Sequence, residues 1–429
     1  MSKRTTFPPV FWVANTIEIL ERFAYYGIYM GFGIYMSHLG FSKGELGVVQ
    51  SVFLLLSYVI TIISGTFADK YGFKKMLMVS YLAYLPSILL LIYTKSYSGI
   101  LFSMMSIGFA AGIFKPLISA TMRSVTDRTN KTLGFGIYYA MVNIGATLGP
   151  LIAGHLRAIS WNTAFLANAV VIGIMFLITL FFYKEPPRQI EGETLRKKFN
   201  DIAIALSDGK FAIFLLLFGL FFWLPLWSFI NLLAEYVEKS IDTAALYNAV
   251  KGLLGSGFAG IISHTDEHGI HRILGETIST TAYFVVIFQL LVSRVTEKFR
   301  AMPSFIVGMA IASLGFIFLA FARTYDPMFV FLGIFLFAIG EMTISPRIQE
   351  YITWIAPKEK AGLYIGANYL SFALGGALSG ITYTSLSGWF GNQGHPEYVW
   401  YTLAAHYVIG VIAIYIFIKT LGEFKELEA

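Results

Sequence analysis

The sequence predicts an all-α membrane protein with twelve transmembrane helices in two pseudo-symmetric six-helix bundles. Three observations carry this. Of its 429 residues 56% are hydrophobic and only 13% charged, with a mean hydropathy of +0.68, where a soluble domain carries about 25% charge. Twelve apolar runs reach the roughly 20 residues that a crossing of the hydrocarbon core requires. The second six runs repeat local features of the first six, as in transporters built from repeats.

In chain order the runs cover 9–37, 45–68, 75–95, 98–123, 132–157, 160–183, 210–237, 277–296, 302–323, 327–355, 361–388 and 398–419. Several exceed the minimum, which implies tilted or curved helices. With the N-terminus inside, 21 of the 31 Lys and Arg residues fall in inner loops and termini and seven in outer loops, while Arg22, Lys115 and Arg347 lie within spans. That asymmetry puts both termini in the cytoplasm of a multi-pass plasma-membrane protein, the inner membrane in a bacterium. The net charge of +6 reports those loops and implies no nucleic-acid partner. Seven Trp, 25 Tyr and 39 Phe suit interfacial belts and an aromatic-lined cavity. With no Cys the chain has no disulfide framework, thiolate metal site or cysteine nucleophile. Lys3 and Arg4 lead directly into the first span, without the cleavage site of a removed signal peptide.

The polar stretch 184–209 separates an N-terminal bundle (1–183) from a C-terminal bundle (210–429), the latter with an extracellular loop at 238–276. Gly65-Thr-Phe-Ala-Asp-Lys-Tyr-Gly-Phe-Lys-Lys75 after span two is echoed by Ser293-Arg-Val-Thr-Glu-Lys-Phe-Arg300 after span eight. Asp69 then matches Glu297, and Lys70 matches Lys298. Lys115-Pro116 in span four and Ser345-Pro346 in span ten sit at similar depth. Gly145-x-x-x-Gly149 in span five and Gly376-x-x-x-Gly380 in span eleven are small-residue patterns that let helices approach closely.

The first span holds the densest charge. Glu18, Glu21, Arg22 and Tyr25 lie at i, i+3, i+4 and i+7, with Tyr29 extending the row, so a helix gathers them on one stripe. Charges at bilayer depth cost at least ~2.5–3.5 kcal/mol each, so this stripe faces a bundle interior or a watery cavity, as a functional site or as an ion pair that fixes packing. A carboxylate loads and releases a proton when burial and cation partners alternate around it. We assign Glu21 as the titrating acid, beside Glu18, with Arg22 as its partner and as a bidentate ligand for a substrate carboxylate. Lys115 is a second cation deep in an apolar span, and Glu341 is the acid well inside the second half. A zwitterion fits this polarity, its carboxylate toward Arg22 and Lys115 and its ammonium toward Glu341. Arg347 and Glu350 read as a gate or an interhelical pair. No nucleotide loop, nucleophile elbow or metalloprotease motif is present, so an enzyme is not expected.

Gly65-x-x-x-Asp69-Lys70-x-Gly72-x-Lys74-Lys75, with twelve spans in two halves, resembles the major facilitator superfamily. Glu18-x-x-Glu21-Arg22-Phe23-x-Tyr25-Tyr26-Gly27 resembles the first-helix signature of the proton-dependent oligopeptide transporters. Gly112-Ile-Phe-Lys115-Pro116 resembles their span-four element, and Gly340-Glu341-Met342-x-Ile344-Ser345-Pro346, ending at Ala356-Pro357-Lys358, their span-ten element. The resemblance implies proton-coupled import of di- and tripeptides by alternating access, with protons as the coupling ion and no other cofactor, by a chain that works as a monomer. It places Tyr58 and Asn143 in the cavity lining, beside Tyr25, Tyr26, Tyr29 and Ser345, and gives Asp69, Lys70, Lys74 and Lys75 a gating role.

The sequence departs from that family at three points: 184–209 is too short for the two extra helices that many bacterial members carry between the halves, the stretch 238–276 between spans seven and eight is unusually long, and an acid is missing from span seven. Family members carry a coupling glutamate shortly after a Phe-Trp pair in span seven, whereas Phe222-Trp223 is followed by Leu224-Pro225-Leu226-Trp227. The alternative is therefore a facilitator for a non-peptide anion or a lipid-like substrate with altered proton coupling, or a sensor on the same scaffold. In the external loop, His264, His268 and His271 with two acids are weak metal candidates, since His at i and i+4 share a helix face. A solvated loop is the simpler reading.

Overall fold

A computed structural model describes residues 7–127, 130–186, 194–356 and 361–424. Lys3, Arg4 and the Pro357-Lys358 end of the span-ten motif lie outside the described residues. The chain forms two compact units, one of residues 1–35 and 52–197 and the other of residues 36–51 and 198–429. The boundary near 197 falls inside the polar stretch expected to divide the halves. Residues 36–51, expected in the N-terminal bundle, group instead with the second unit.

The first unit is built on α1 (Pro9–Tyr29), α4 (Phe73–Tyr93), α5 (Tyr97–Val125), α6 (Lys131–Ile159) and α7 (Trp161–Phe182), preceded by most of α3 (Lys43–Tyr71). A short α2 (Phe32–His38) continues the first span. Apolar side chains cover these helices all round: Leu82, Phe102, Leu166 and Phe181 are exposed, as lipid-facing residues are. Close helix contact requires the small residues. A Cβ on Gly145 would overlap the Ile19 carbonyl oxygen and stand 2.7 Å from Arg22 Cβ, and one on Gly149 would stand 2.9 Å from Phe23 Cα. The Gly145-x-x-x-Gly149 face of α6 thus seats α1 at the turn that carries the charges.

The second unit contains α9 (Gly209–Phe218), a π-helical turn (Gly219–Trp223), α10 (Leu224–Ser240), α13 (Ala282–Thr296), α14 (Ala301–Thr324) and α15 (Phe329–Ile355). It ends with α16 (Ala361–Ser379), a second π turn (Gly380–Thr384), α17 (Ser385–Asn392) and α18 (Tyr398–Leu421). Ten helical spans among the described residues are long and apolar enough to cross a bilayer. The other two expected spans are α1 with α2, which carries Glu18, Glu21 and Arg22, and α16 with α17, interrupted by its π turn. The polar stretch is not simply a linker, because it forms α8 (Leu195–Leu206).

The long stretch 238–276 is also structured. It forms α11 (Thr243–Ile261), which bends at Gly255 (φ 86°), then a hairpin of β1 (Ser263–Thr265) and β2 (His271–Ile273), then the short α12 (Gly275–Ile278). His264 pairs in register with Arg272, and His271 stacks on Tyr247 at 4.6 Å. The weaker alternative, a helix face of histidines, is therefore absent. Among the described residues no three His, Cys, Asp or Glu side chains come together as metal donors.

The π turn after α9 has a local cause. Leu224 N–H donates to the Gly219 carbonyl, and in that register the Leu220 carbonyl faces Pro225, which has no N–H. His406 supplies the missing donor: its Nε2 lies 2.9 Å from the Leu220 oxygen, while Nδ1 accepts from the Tyr383 hydroxyl at 2.6 Å. Tyr383 lies in the other π turn, so one histidine of α18 ties both irregular turns together.

Candidate functional site

Three ionisable side chains of α1 meet inside the first unit. Arg22 Nε lies 2.9 Å from Glu18 Oε1, and Arg22 Nη2 lies 2.9 Å from Glu21 Oε2. Exposure is 1% for Glu18, 0% for Glu21 and 8% for Arg22, so water screens none of them. The Tyr84 hydroxyl, from α4, donates to Glu21 Oε1 at 2.7 Å. A neutral donor from a second helix thus holds the same carboxylate as the guanidinium.

Lys115 enters from α5. Its Nζ donates to Ser57 Oγ at 3.0 Å and sits over the rings of Tyr58 (4.0 Å) and Tyr25 (5.2 Å). Arg22 in turn lies over Tyr25 and Phe114, at 5.6 and 6.0 Å. A desolvated cation gains about 2 kcal/mol or more from an aromatic face, so the rings replace part of the lost hydration. Pro116 explains the local shape of α5. A proline leaves the carbonyl four residues earlier without its helical donor. That carbonyl belongs to Gly112, and it accepts from Thr61 Oγ1 and Ser64 Oγ of α3, each at 3.2 Å. Gly112 allows the approach, since a Cβ there would stand 2.6 Å from Ile60 Cβ. The Lys-Pro pair therefore couples the placement of the ammonium to the contact of α5 with α3.

Other expected ligands divide. Tyr29 stacks on Phe53 at 4.6 Å and Tyr26 meets Tyr25 edge-on at 5.0 Å, so the tyrosine row is largely packed. Asn143 donates to the Tyr139 carbonyl of its own helix at 2.9 Å. In the second unit Glu341 is half-buried with Thr281 as its hydrogen-bonding neighbour. Ser345, one turn on, is also half-buried. Arg347 donates to the Phe299 carbonyl. Trp227 is buried at the stretch where the family glutamate was expected, and Trp223 stacks on Phe372 at 3.6 Å.

The expected gating residues surround the start of α4. Phe73 N–H and Lys74 N–H donate to the two oxygens of Glu185 at 2.7 and 2.9 Å, and Lys74 Nζ donates to the Leu180 carbonyl at 2.8 Å. Lys70 lies over the Tyr71 ring and Lys75 is exposed, while Asp69 is half-buried. Glu185 was not singled out from sequence, nor were Tyr84 and Ser57, because no local spacing links them to the residues they bind. A further cluster missed from sequence joins Lys43, Glu235 and Lys239 in the second unit. Glu235 is 3% exposed, pairs with Lys43, and lies 3.1 Å from Lys239, which is four residues on. With Arg323 they line a cavity of about 340 Å³. The i, i+4 spacing of Glu235 and Lys239 was the available signal.

Comparison with known proteins follows the same lines. The model of the Major Facilitator Superfamily matches residues 16–275 and 265–426. An uncharacterized MFS-type transporter, YttB of Bacillus subtilis (strain 168), is 26% identical over 347 residues, 80% of this chain and 79% of that protein. A Na(+), Li(+), K(+)/H(+) antiporter of Planococcus maritimus is 23% identical and covers 82% of this chain and 83% of its own. A POT family transporter crystallised with 5-aminolevulinic acid superposes with a TM-score of 0.75 at 19% identity, covering 98% of both chains. The nucleoside transporter NupG gives 0.74 at 13% identity, covering 96% of this chain and 99% of its own. At these identities the superpositions establish a shared fold.

Proposed function

This chain belongs to the major facilitator superfamily, a multi-pass membrane transporter and not an enzyme, and we propose that it is a proton-coupled importer of small zwitterions, foremost di- and tripeptides. One observation carries the reading: two acids and two bases, Glu18, Glu21, Arg22 and Lys115, share one buried site within a single unit. Fully ionised, that set is neutral. A substrate carboxylate bound to Arg22 or Lys115 leaves one excess negative charge in a poorly screened place, and one proton on a glutamate restores neutrality. Substrate and proton thus enter together. Glu21 is assigned as the proton carrier because its carboxylate is shared between Arg22 and Tyr84, partners on two different helices. Glu341 is the acid of the second unit suited to an ammonium group. Asp69, Lys70, Lys74 and Lys75 act in gating, with Glu185 holding the start of α4. Two POT family transporters of the same fold, one in complex with 5-aminolevulinic acid and one with a thioalcohol-conjugated peptide, support this solute class.

A second reading rests on Trp227. Where the family has a coupling glutamate this chain has a buried indole, and one relative is named as a cation/proton antiporter. On that reading the proton machinery serves a different anion or a lipid-like solute.

Proteoliposomes with an interior pH dye, an inward proton gradient and a mixed di- and tripeptide pool decide between the two. Peptide-dependent acidification is expected, abolished in Glu21→Gln while peptide binding persists. A Glu21→Gln protein that still concentrates peptide refutes the coupling role. Folded protein without any peptide-dependent proton movement turns the assignment to the second reading.

A further inference from the structure

We infer that the second unit holds one anionic phospholipid in a groove between α13 and α14, floored by α15. The groove has a volume of about 360 Å³ and is lined by Leu291, Val295 and Phe299 on one side, Val307 on the other, and Ile339 and Thr343 below. Leu291, Val295 and Val307 are 60, 50 and 54% exposed on helices long and apolar enough to cross the bilayer, and Phe299, 60% exposed, lies in the connection between them. The groove therefore opens to hydrocarbon, and an acyl chain fills it.

Filling alone selects nothing, because lipid tails are as apolar as leucine and give no hydrophobic drive for one lipid over another. Selection comes from the rim. Arg294 lies one turn from Leu291 on α13, and Lys298 follows four residues later beside Phe299, where the groove reaches the loop that joins α13 to α14. Both are exposed, and among the described residues neither has a carboxylate partner. Arg300 is engaged by Glu423 at 2.6 Å, and Glu297 offsets one charge. The loop thus keeps a net positive charge at the height of a lipid headgroup, suited to a phosphodiester with a further anionic or uncharged polar group. A polar crevice of about 200 Å³ shares Thr296 and Thr343 with the groove. Arg347 lines it with a buried Nε that has no hydrogen-bond partner, a donor for a phosphate or ester oxygen. Glu297 and Glu350 line the same crevice, so the excess positive charge belongs to the Arg294–Lys298 rim.

This site is independent of what the protein transports. Its test is native mass spectrometry of the full chain released from micelles containing equal palmitoyl-oleoyl phosphatidylglycerol and phosphatidylcholine. One phosphatidylglycerol adduct is expected to survive activation that strips phosphatidylcholine. Each basic residue near a lipid surface is worth about fivefold in affinity, so Arg294→Gln with Lys298→Gln lowers retention about thirtyfold. Val307→Trp fills the groove without altering charge, at an exposed position that leaves folding intact, and also expels the adduct. Equal retention of both lipids overturns the inference, as does undiminished retention in the double variant. A charge effect that persists in full in Val307→Trp assigns the lipid to the loop surface and overturns the groove.

Discussion

Replacing Thr61 by valine and Ser64 by alanine removes both hydroxyl donors from the Gly112 carbonyl that Pro116 leaves without a helical partner. Thr61 Oγ1 also donates to its own helix at Ser57, at 2.8 Å, so its 3.2 Å contact with Gly112 is the weaker share. Ser64 Oγ divides similarly between Gly112 at 3.2 Å and the Thr61 carbonyl at 3.3 Å. Either single replacement leaves the carbonyl one partner and costs about 0.6 kcal/mol, an ordinary hydrogen bond inside a membrane protein. Both together orphan a buried carbonyl, at about 1–3 kcal/mol. The double-mutant cycle is therefore non-additive by about 1 kcal/mol. In a Pro116→Ala background the restored N–H satisfies Gly112 from within α5, and the coupling vanishes. Reversible unfolding in mixed SDS micelles measures all eight proteins. Additivity within ~0.3–0.5 kcal/mol in the Pro116 background, or equal coupling in both backgrounds, refutes the reasoning. Pro116→Ala alone is expected to fold at least as stably and to transport less, because the restored N–H competes with α3 for the Gly112 carbonyl next to Lys115.

Two further outcomes follow from the second unit. His406→Ala leaves the Leu220 carbonyl and the Tyr383 hydroxyl unpaired, for a loss of about 1–3 kcal/mol in the same unfolding assay. Adding Tyr383→Phe removes one of the orphaned groups and recovers part of that loss. In the 263–273 hairpin, the Arg272 side chain and the backbone N–H groups of Ile270 and His268 hold the Asp266 carboxyl down at about 2. A carboxyl lowered on folding stabilises the folded form above its unfolded pKa of roughly 3.9, and the gain is lost as pH falls through the folded value. Amide exchange in the 263–273 hairpin, corrected for intrinsic rates, is thus expected to be flat from about pH 5 to 8 and to accelerate below about pH 4. In Asp266→Asn it is fast at neutral pH. Unchanged protection in Asp266→Asn refutes the role given to this carboxylate.

Much of the fold was legible because bilayer physics acts on local sequence. A span needs an apolar run of set length, so each run marked a helix to within a few residues. The charges of α1 were legible as a stripe because 3.6-residue periodicity puts Glu18, Glu21 and Arg22 on one face. Gly145 and Gly149 announced close packing but not their partner, which proved to be the turn carrying Arg22. The spacing of His264, His268 and His271 left a helix face open as an alternative to a solvated loop, and the hairpin that these residues form lies outside what His spacing can specify.

Composition and spacing within single helices carry the class, the spans, the family resemblance and the ionisable residues at membrane depth. Packing between helices decided that Tyr84 shares Glu21 with Arg22, that Ser57 and two aromatic rings hold Lys115, and that Glu185 caps α4. It also decided that His406 completes the carbonyl Pro225 leaves open. The hydrogen-bonded partners among these stand 63, 58, 112 and 186 residues apart along the chain. A hydrogen bond or cation–π contact between distant helices leaves no periodic trace in sequence, because it is set by how the helices pack.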